Sequence, residues 1–541
     1  MSKSKPAGMK PTLYIAIIII LILALVGISY LYVQKPVTNQ KEILSTANSI
    51  LCHPSQFANC TDASLRYTNL ANLDLKSINL TRADLENSSL NSTDLSYANM
   101  HDASLRFTKM IGANLSNVYA HGADLWFSNL SHTTITNSNF SGATLFHTNL
   151  RNATISKSNF VAAPSYSADL QYSTINNSDF FQGYLYDAKL NNSAITNSNF
   201  TAATFTDANL NNSAITNSNF TAATFTISNL KNATISNSNL ESASLYFAGL
   251  QHSIINNSDF FQGYLYGANL NNSAITNSNF TEATFTWANL KNSAITNSNF
   301  NYATFTAAKL NNSAITNSNF TAATFTDANF KNATISNSNL ESASLYFAGL
   351  RHSIINNSDF FQGYLYGANL NNSIITNSNF NYATFTAAKF NNSAITNSNF
   401  TGATFTGANF KNATISNSYL SIADFNTGAH LQGVKILDSN LNTASFRNSN
   451  LTSIYVNDSN LRGVDFSNAH LNNAYIENSN LSYAIIYFAN VQGATLINVN
   501  LTHADLTYTN LRNATLIGTS LNDSVLCDTI MPNGTLDNRG C

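Results

Sequence analysis

A large apolar residue returns at every fifth position. The run reads Leu65, Leu70, Leu75, Leu80, Leu85, Leu90, Leu95 and Met100, and its phase holds with few lapses to Phe425. A small residue stands two places before most of them, as at Ala63, Ala83 and Ala98. An α-helix shows a period near 3.6 and a simple strand a period of two. A period of five fits neither. Longer blocks repeat as well. "NNSAITNSNFTAATFTDANL" fills 191–210, "NNSAITNSNFTAATFTISNL" fills 211–230, and near copies return at 271, 311 and 391.

The pattern A-(D/N)-L-x-x, present here as "ADL", "TNL" and "SNF", resembles the pentapeptide-repeat family over about residues 61–526. The resemblance implies an all-β chain, a right-handed quadrilateral parallel β-helix (a solenoid). Each five forms one side, four make a coil, and residues twenty apart stack. The large residue and the small one before it then point inward. Core ladders follow: every twentieth residue from Ile135 to Ile415 is Ile, and Phe140, Phe160, Phe180, Phe200 and Phe220 lie on the next side. Leu130 to Leu310 line a third side, and Leu185, Phe205, Phe225 and Leu245 a fourth. Identical side chains at the strand spacing of about 4.8 Å pack without voids. Coil-to-coil stabilisation needs little charge, and only 10% of residues are charged, against roughly 25% in average usage.

Three lapses are expected to mark local change. Val118 and Ala120 exchange large and small. Pro164 and Ser165 place a defect in one coil. Six residues rather than five separate Phe425 from Leu431, which predicts a bulge near Gly428 and an altered direction or twist beyond it.

Leu13–Val33 carries no charged residue and is long enough for a hydrocarbon core of about 30 Å. Lys3, Lys5 and Lys10 precede it, which predicts one N-terminal transmembrane α-helix with a cytoplasmic N-terminus and the repeats outside the cell. A cleaved signal peptide and pilin-type cleavage near Gly8 are the alternatives; the stretch is long for a signal core, and no A-x-A-like site follows. Cys52 and Cys60 precede the repeats, and Cys527 and Cys541 follow them. Two local disulfides are expected in an oxidising compartment, with four free thiols as the alternative. The predicted organisation is a cytoplasmic tail (1–12), a transmembrane helix (13–33), a linker and N-terminal cap (34–60), repeats (61–425), a bulge (426–430), repeats (431–526) and a C-terminal cap (527–541).

No catalytic constellation emerges, and no cofactor or metal is expected. The formal net charge of -2 predicts no basic surface for nucleic acid. His101 and His121 occupy equivalent positions one coil apart and read as stacked, solvated rings. Asp84, Asp94, Asp124, Asp179 and Asp259 sit where the repeat takes Asp or Asn, which suggests local hydrogen bonding, and no paired carboxylates are apparent. Some pentapeptide-repeat proteins mimic DNA and bind topoisomerases; that use needs a strongly acidic cytoplasmic rod, which this nearly neutral chain does not resemble.

Three surface features remain. Sequons are frequent and include Asn114, Asn152, Asn199, Asn219, Asn271 and Asn450, of which some are expected to carry glycan. "TFT" recurs with Thr204, Thr206, Thr224, Thr226, Thr284, Thr304 and Thr324 outward. Flat Thr arrays resemble those of ice-binding proteins, but this one breaks every few coils, and a plain β-favouring face is the simpler reading. At the breaks stands "FFQGYLY". Phe181, Tyr184, Tyr186, Phe261, Tyr264, Tyr266, Phe361, Tyr364 and Tyr366 should point out, joined by Tyr246, Phe247, Tyr346 and Phe347 one coil earlier. Exposed aromatic clusters mark binding surfaces; ring-on-ring packing without a ligand is the alternative. The favoured reading is a non-catalytic, membrane-anchored extracellular stalk or adhesin, with surface glycans or neighbouring surface proteins as partners. The other readings are an ice- or glycan-binding module and an inhibitor of a DNA-processing enzyme. Oligomeric state is left open.

Overall fold

The computed structural model describes residues 52–541. The expected tail, transmembrane helix and most of the linker lie outside the described residues. Among those described, no helix is long and apolar enough to cross a membrane.

The described chain is an all-β parallel solenoid. Backbone bridges join residues twenty apart in four series per coil, as in Asn59↔Asn79, Ser64↔Asp84, Asn69↔Ser89 and Asp74↔Asp94. Each coil gives and receives backbone hydrogen bonds: the Phe200 N–H donates to the Asn219 carbonyl at 2.7 Å, and the Asn199 N–H to the Ser178 carbonyl at 2.9 Å.

One side lengthens into true strands. They run from β1 (Thr134–Thr136) to β20 (Thr515–Ile517) in one twenty-stranded parallel sheet. Every triplet on this ladder from Thr134 onward contains a β-branched residue, as in TIT, AIT, YVN and TLI. The three triplets before it, DLK, DLS and NLS around Leu75, Leu95 and Leu115, contain none and make single bridges. Branching at Cβ favours the extended backbone. On the other sides the residue after the large one already begins a turn, so Thr-Phe-Thr stays a single bridge.

The ladders fill the interior. Phe160, Phe180, Phe200 and Phe220 stack nearly parallel at centroid spacings of 4.7, 4.7 and 4.9 Å, and Ile135 to Ile415 are buried throughout. Val118 and Ala120 are both buried. At Pro164 the coil keeps its register, with Pro164 bridged to Tyr184 and Ser165 buried in the large-residue position. The predicted defect is therefore confined to one missing backbone N–H, and the neighbouring bonds continue, with the Leu145 N–H on the Pro164 carbonyl at 2.7 Å and the Ser165 N–H on the Tyr184 carbonyl at 2.8 Å.

The extra residue after Phe425 shifts pairing from twenty to twenty-one. β15 (Thr414–Ser416) meets β16 (Lys435–Leu437) with Thr414 opposite Lys435. Thr427 and Gly428 take φ of 54° and 82° in the enlarged turn. The stack ends in an antiparallel pair, β21 (Thr529–Ile530) and β22 (Leu536–Asp537). Cys52 is bonded to Cys60 and Cys527 to Cys541.

Two polar devices tie the turns to the stack. Asx side chains before the large residue accept the N–H two residues later, as Asp84, Asp94, Asp124, Asp179 and Asp259 do from Glu86, Ser96, Trp126, Phe181 and Phe261. This local closure is an Asx turn. The second device is a buried serine column running from Ser138 to Ser479. The Ser278 N–H donates to the Ser298 hydroxyl at 3.2 Å, and that hydroxyl donates to the Thr296 carbonyl at 2.9 Å. The column crosses the bulge, with the Ser418 N–H on the Ser439 hydroxyl at 3.2 Å.

Stacking also corrects the expectation of no paired carboxylates. Asp187 and Asp207 occupy equivalent turn positions on adjacent coils. Partial burial, reinforced by the Asp187 charge, raises the Asp207 carboxyl above its usual range although its side chain reaches solvent.

Two outcomes are expected from these contacts. Ser298→Ala removes the acceptor of a buried N–H and should lower stability by about 1–3 kcal/mol. Ser213→Ala removes a buried hydroxyl that has no partner and should cost nothing; urea melts of both variants check the contrast. The raised Asp207 favours its protonated form in the folded state, so its stabilising contribution is complete below the unfolded carboxylate pKa and disappears as pH rises through the folded one. Asp207→Asn should therefore melt slightly above the parent at neutral pH. That gain should shrink on acidification through the carboxylate range.

Candidate binding surface

All thirteen predicted aromatics lie at the surface, half-buried or exposed, while the intervening Leu185, Leu245, Leu265, Leu345 and Leu365 are buried. Strand-like alternation on each short side produces this division. Tyr184, Tyr264 and Tyr364 belong to one bridge series, which passes through Thr204, Thr224 and Ser244, then through Thr284, Thr304, Thr324 and Ser344. The three clusters consequently share one side of the solenoid, four and five coils apart, or about 19 and 24 Å.

The middle cluster is the most developed. Tyr246 stacks on Tyr264 at 6.0 Å and on Tyr266 at 5.5 Å, with interplanar angles of 4° and 17°. Tyr266 continues to Trp287 at 6.2 Å, and Phe247 meets Tyr246 edge-on at 4.6 Å. Phe247 lies over Gly267, where an added Cβ would fall 2.6 Å from the ring. Phe347 lies in the same way over Gly367. Glycine at these turn positions (φ 65° and 64°) gives the ring a flat seat on the next coil, besides tolerating the left-handed backbone. In the third cluster Tyr346 faces Tyr364 at 6.4 Å and Phe347 meets Tyr366 at 5.3 Å, while Phe361 turns away to meet Tyr382 at 6.0 Å.

Several members were not singled out in the sequence. Tyr166 stacks on Tyr184 at 6.3 Å, and Trp287 and Tyr382 extend the other two clusters. Phe107, Phe127 and His147 stack in succession at 5.6 and 4.5 Å in the column later occupied by Phe247 and Phe347. Beyond the bulge Phe488 stacks on Tyr508 at 4.5 Å on the same side. The signal was available: aromatics eighteen to twenty-one residues apart, rather than one recurring motif.

The other candidate residues are distributed along the solenoid. His101 and His121 stack at 5.5 Å with a 15° interplanar angle, and among the described residues no group of side chains is arranged to hold a metal ion. Thr204, Thr206, Thr224, Thr226, Thr284, Thr304 and Thr324 are half-buried between the aromatic clusters. Among the sequons, Asn152 and Asn219 are exposed, and Asn114, Asn199, Asn271 and Asn450 are half-buried. The Asn114 and Asn199 amides donate to Asp94 and Asp179 on the preceding coil at 3.0 and 2.9 Å. A glycan on either nitrogen would take one of its two hydrogens and leave one N–H for that inter-coil bond.

A family model described as pentapeptide repeats (8 copies) matches residues 58–96, 98–137, 127–161, 184–221, 264–301, 303–341, 323–362, 427–463, 459–496 and 496–531. A second, pentapeptide repeats (9 copies), matches 365–414. No curated protein matches the chain. Solved structures similar to it include HetL, a pentapeptide repeat protein involved in heterocyst differentiation regulation from the cyanobacterium Nostoc sp. strain PCC 7120. It is 25% identical, with 42% of this chain and 91% of HetL covered, at a TM-score of 0.19. QnrB1, a plasmid-mediated fluoroquinolone resistance protein, is 20% identical in its trypsin-treated form, with 41% and 89% covered, at a TM-score of 0.25. Scores this low bear on neither partner nor role. The family models, in contrast, cover most of residues 58–531, and the chain closes one coil with every four fives: it belongs to the pentapeptide-repeat family.

Proposed function

We propose that the chain is a non-catalytic surface rod, anchored through residues 13–33 with its N-terminus in the cytoplasm, whose aromatic side holds a glycan polymer or a neighbouring surface protein. One observation carries the reading: Tyr184, Tyr264 and Tyr364 share a single bridge series, each within a cluster of outward rings. Tyrosine offers a broad apolar face with a polar tip and little rotamer entropy to lose, which suits both sugar rings and protein partners. Clusters fixed at about 19 and 24 Å let weak contacts act together through high effective concentration. The paired cysteines at both ends fit an oxidising exterior, and the uncharged 13–33 stretch fits a span.

Two measurements test this. A tag placed after Cys541 should be removed by protease added to intact cells; a shielded tag would sink the surface location. Replacing Tyr264, Tyr266, Tyr364 and Tyr366 together by Thr leaves every inward side chain in place. The variant should melt with the parent and bind cells or envelope polymer at least about tenfold more weakly, as expected for losing two of three linked sites. Unchanged binding with normal melting would return the rings to mutual packing alone.

A further inference from the structure

The nearly neutral composition conceals a segregation of charge. Between residues 170 and 423 the chain has eight Lys and Arg residues: Lys189, Lys231, Lys291, Lys309, Lys331, Arg351, Lys389 and Lys411. Each is the immediate neighbour of a buried residue on one core ladder, from Leu190 through Leu290 and Phe330 to Phe410. All eight therefore emerge on one side of the solenoid. Seven are exposed and Lys291 is half-buried, and among the described residues none of them forms an ion pair. The same stretch has nine acidic residues. Five of them, Asp179, Glu241, Asp259, Glu341 and Asp359, are immediate neighbours of the ladder of Phe180, Leu240, Phe260, Leu340 and Phe360, and Glu282 stands in the turn after Phe280, between the acidic and aromatic sides. The remaining three, Asp187, Asp207 and Asp327, occupy the turn between the aromatic and basic sides. One coil takes twenty residues, and the acidic and basic ladders are ten apart, so these two sides face opposite directions.

The two charged sides match in height as well as in sign. Asp179 precedes Lys189 by ten residues, and Glu282 precedes Lys291 by nine. Glu241 and Glu341 follow Lys231 and Lys331 by ten, and Asp359 follows Arg351 by eight. Half a coil or less is at most about 2.4 Å along the solenoid axis. Five of the six acids thus stand level with a cation on the far side; Asp259 does not.

From this we infer that the chain associates laterally with a second copy of itself, parallel and in register, the basic side of one solenoid against the acidic side of the next. A copy displaced sideways without rotation brings each of those five acids opposite a cation of its neighbour at nearly the same height. The contact is heterologous, so it leaves a free basic side at one end and a free acidic side at the other, and it extends into an open row. Each pair reaches solvent and is weak, four of the five acids being half-buried, and the row depends on several acting together. The aromatic side lies between the charged sides and stays uncovered along such a row. This inference rests on different residues from the aromatic reading, and either can fail without the other.

The test uses the full-length chain in mild detergent, followed by sedimentation velocity at low and high salt. The parent should form concentration-dependent assemblies at low salt that fall to single rods at high salt, where exposed charges are screened. An acidic-only variant carries Lys291→Glu, Lys309→Glu, Lys331→Glu and Arg351→Glu. A basic-only variant carries Glu241→Lys, Glu282→Lys and Glu341→Lys. Each alone should associate at least about tenfold more weakly than the parent, and an equimolar mixture should restore association. Should a charge reversal impair folding, the corresponding Gln variants must weaken association by themselves. A parent that sediments as single rods at low salt overturns the inference, as do salt-insensitive assemblies, variants that assemble like the parent, or a mixture of folded variants that stays apart. A parent that stays single while binding dextran sulfate would assign the basic side to an anionic polymer instead.

Discussion

Everything in this protein depends on the hydrogen bonds that pass from each residue to its counterpart one coil on. They place equivalent side chains one strand spacing apart, so a preference at one position becomes a continuous column. The backbone is satisfied by its neighbours above and below, as in any parallel sheet. Phe on Phe and Ile on Ile then fill the interior without large voids. The same register permits polar columns inside. Ser298 serves as acceptor for one coil and donor within its own, an arrangement no single five could support. Even the enlarged turn at Thr427–Gly428 preserves these columns, since the serine contact continues from Ser418 to Ser439.

The turns are the strained part of the design. Residues two places after the large one adopt left-handed φ, as at Asn197 (49°), Asp207 (60°) and Ile227 (58°). Asn tolerates this region better than most residues, and a β-branched side chain tolerates it poorly. The bonds from these turn amides to the next coil hold the conformation in place, as Asn197 N–H does to the Thr216 carbonyl at 3.1 Å. Low charge and abundant Asn are two aspects of one solution: the surface is polar through groups that also close turns.

Much of this was legible in the chain. A period of five located the core residues one by one, and the lapse at 426–430 located the change of register. The outward direction of the thirteen aromatics followed from their places beside inward Leu and Phe. What escaped notice shares one cause. Nothing along the chain marks Ser138 to Ser479 as a column or Asp187 and Asp207 as a pair, and the net charge of -2 suggests no basic surface. Each of these readings follows residues along the chain, whereas their physical neighbours are twenty positions away.

The order of residues is enough to set the coil: its period, its inward residues, the identity of each core ladder and the position of the enlarged turn at Thr427–Gly428. These follow from local alternation and from the need to bury a large side chain in every five. Winding sets what stands beside what. Only after the chain winds do Tyr246 and Tyr264 become stacked rings, Ser278 and Ser298 a buried bond, and eight scattered cations one basic side facing away from five acids. Contacts between coils are long-range in sequence but fixed in space by the backbone ladder, and that ladder converts a repetitive string into four chemically distinct sides.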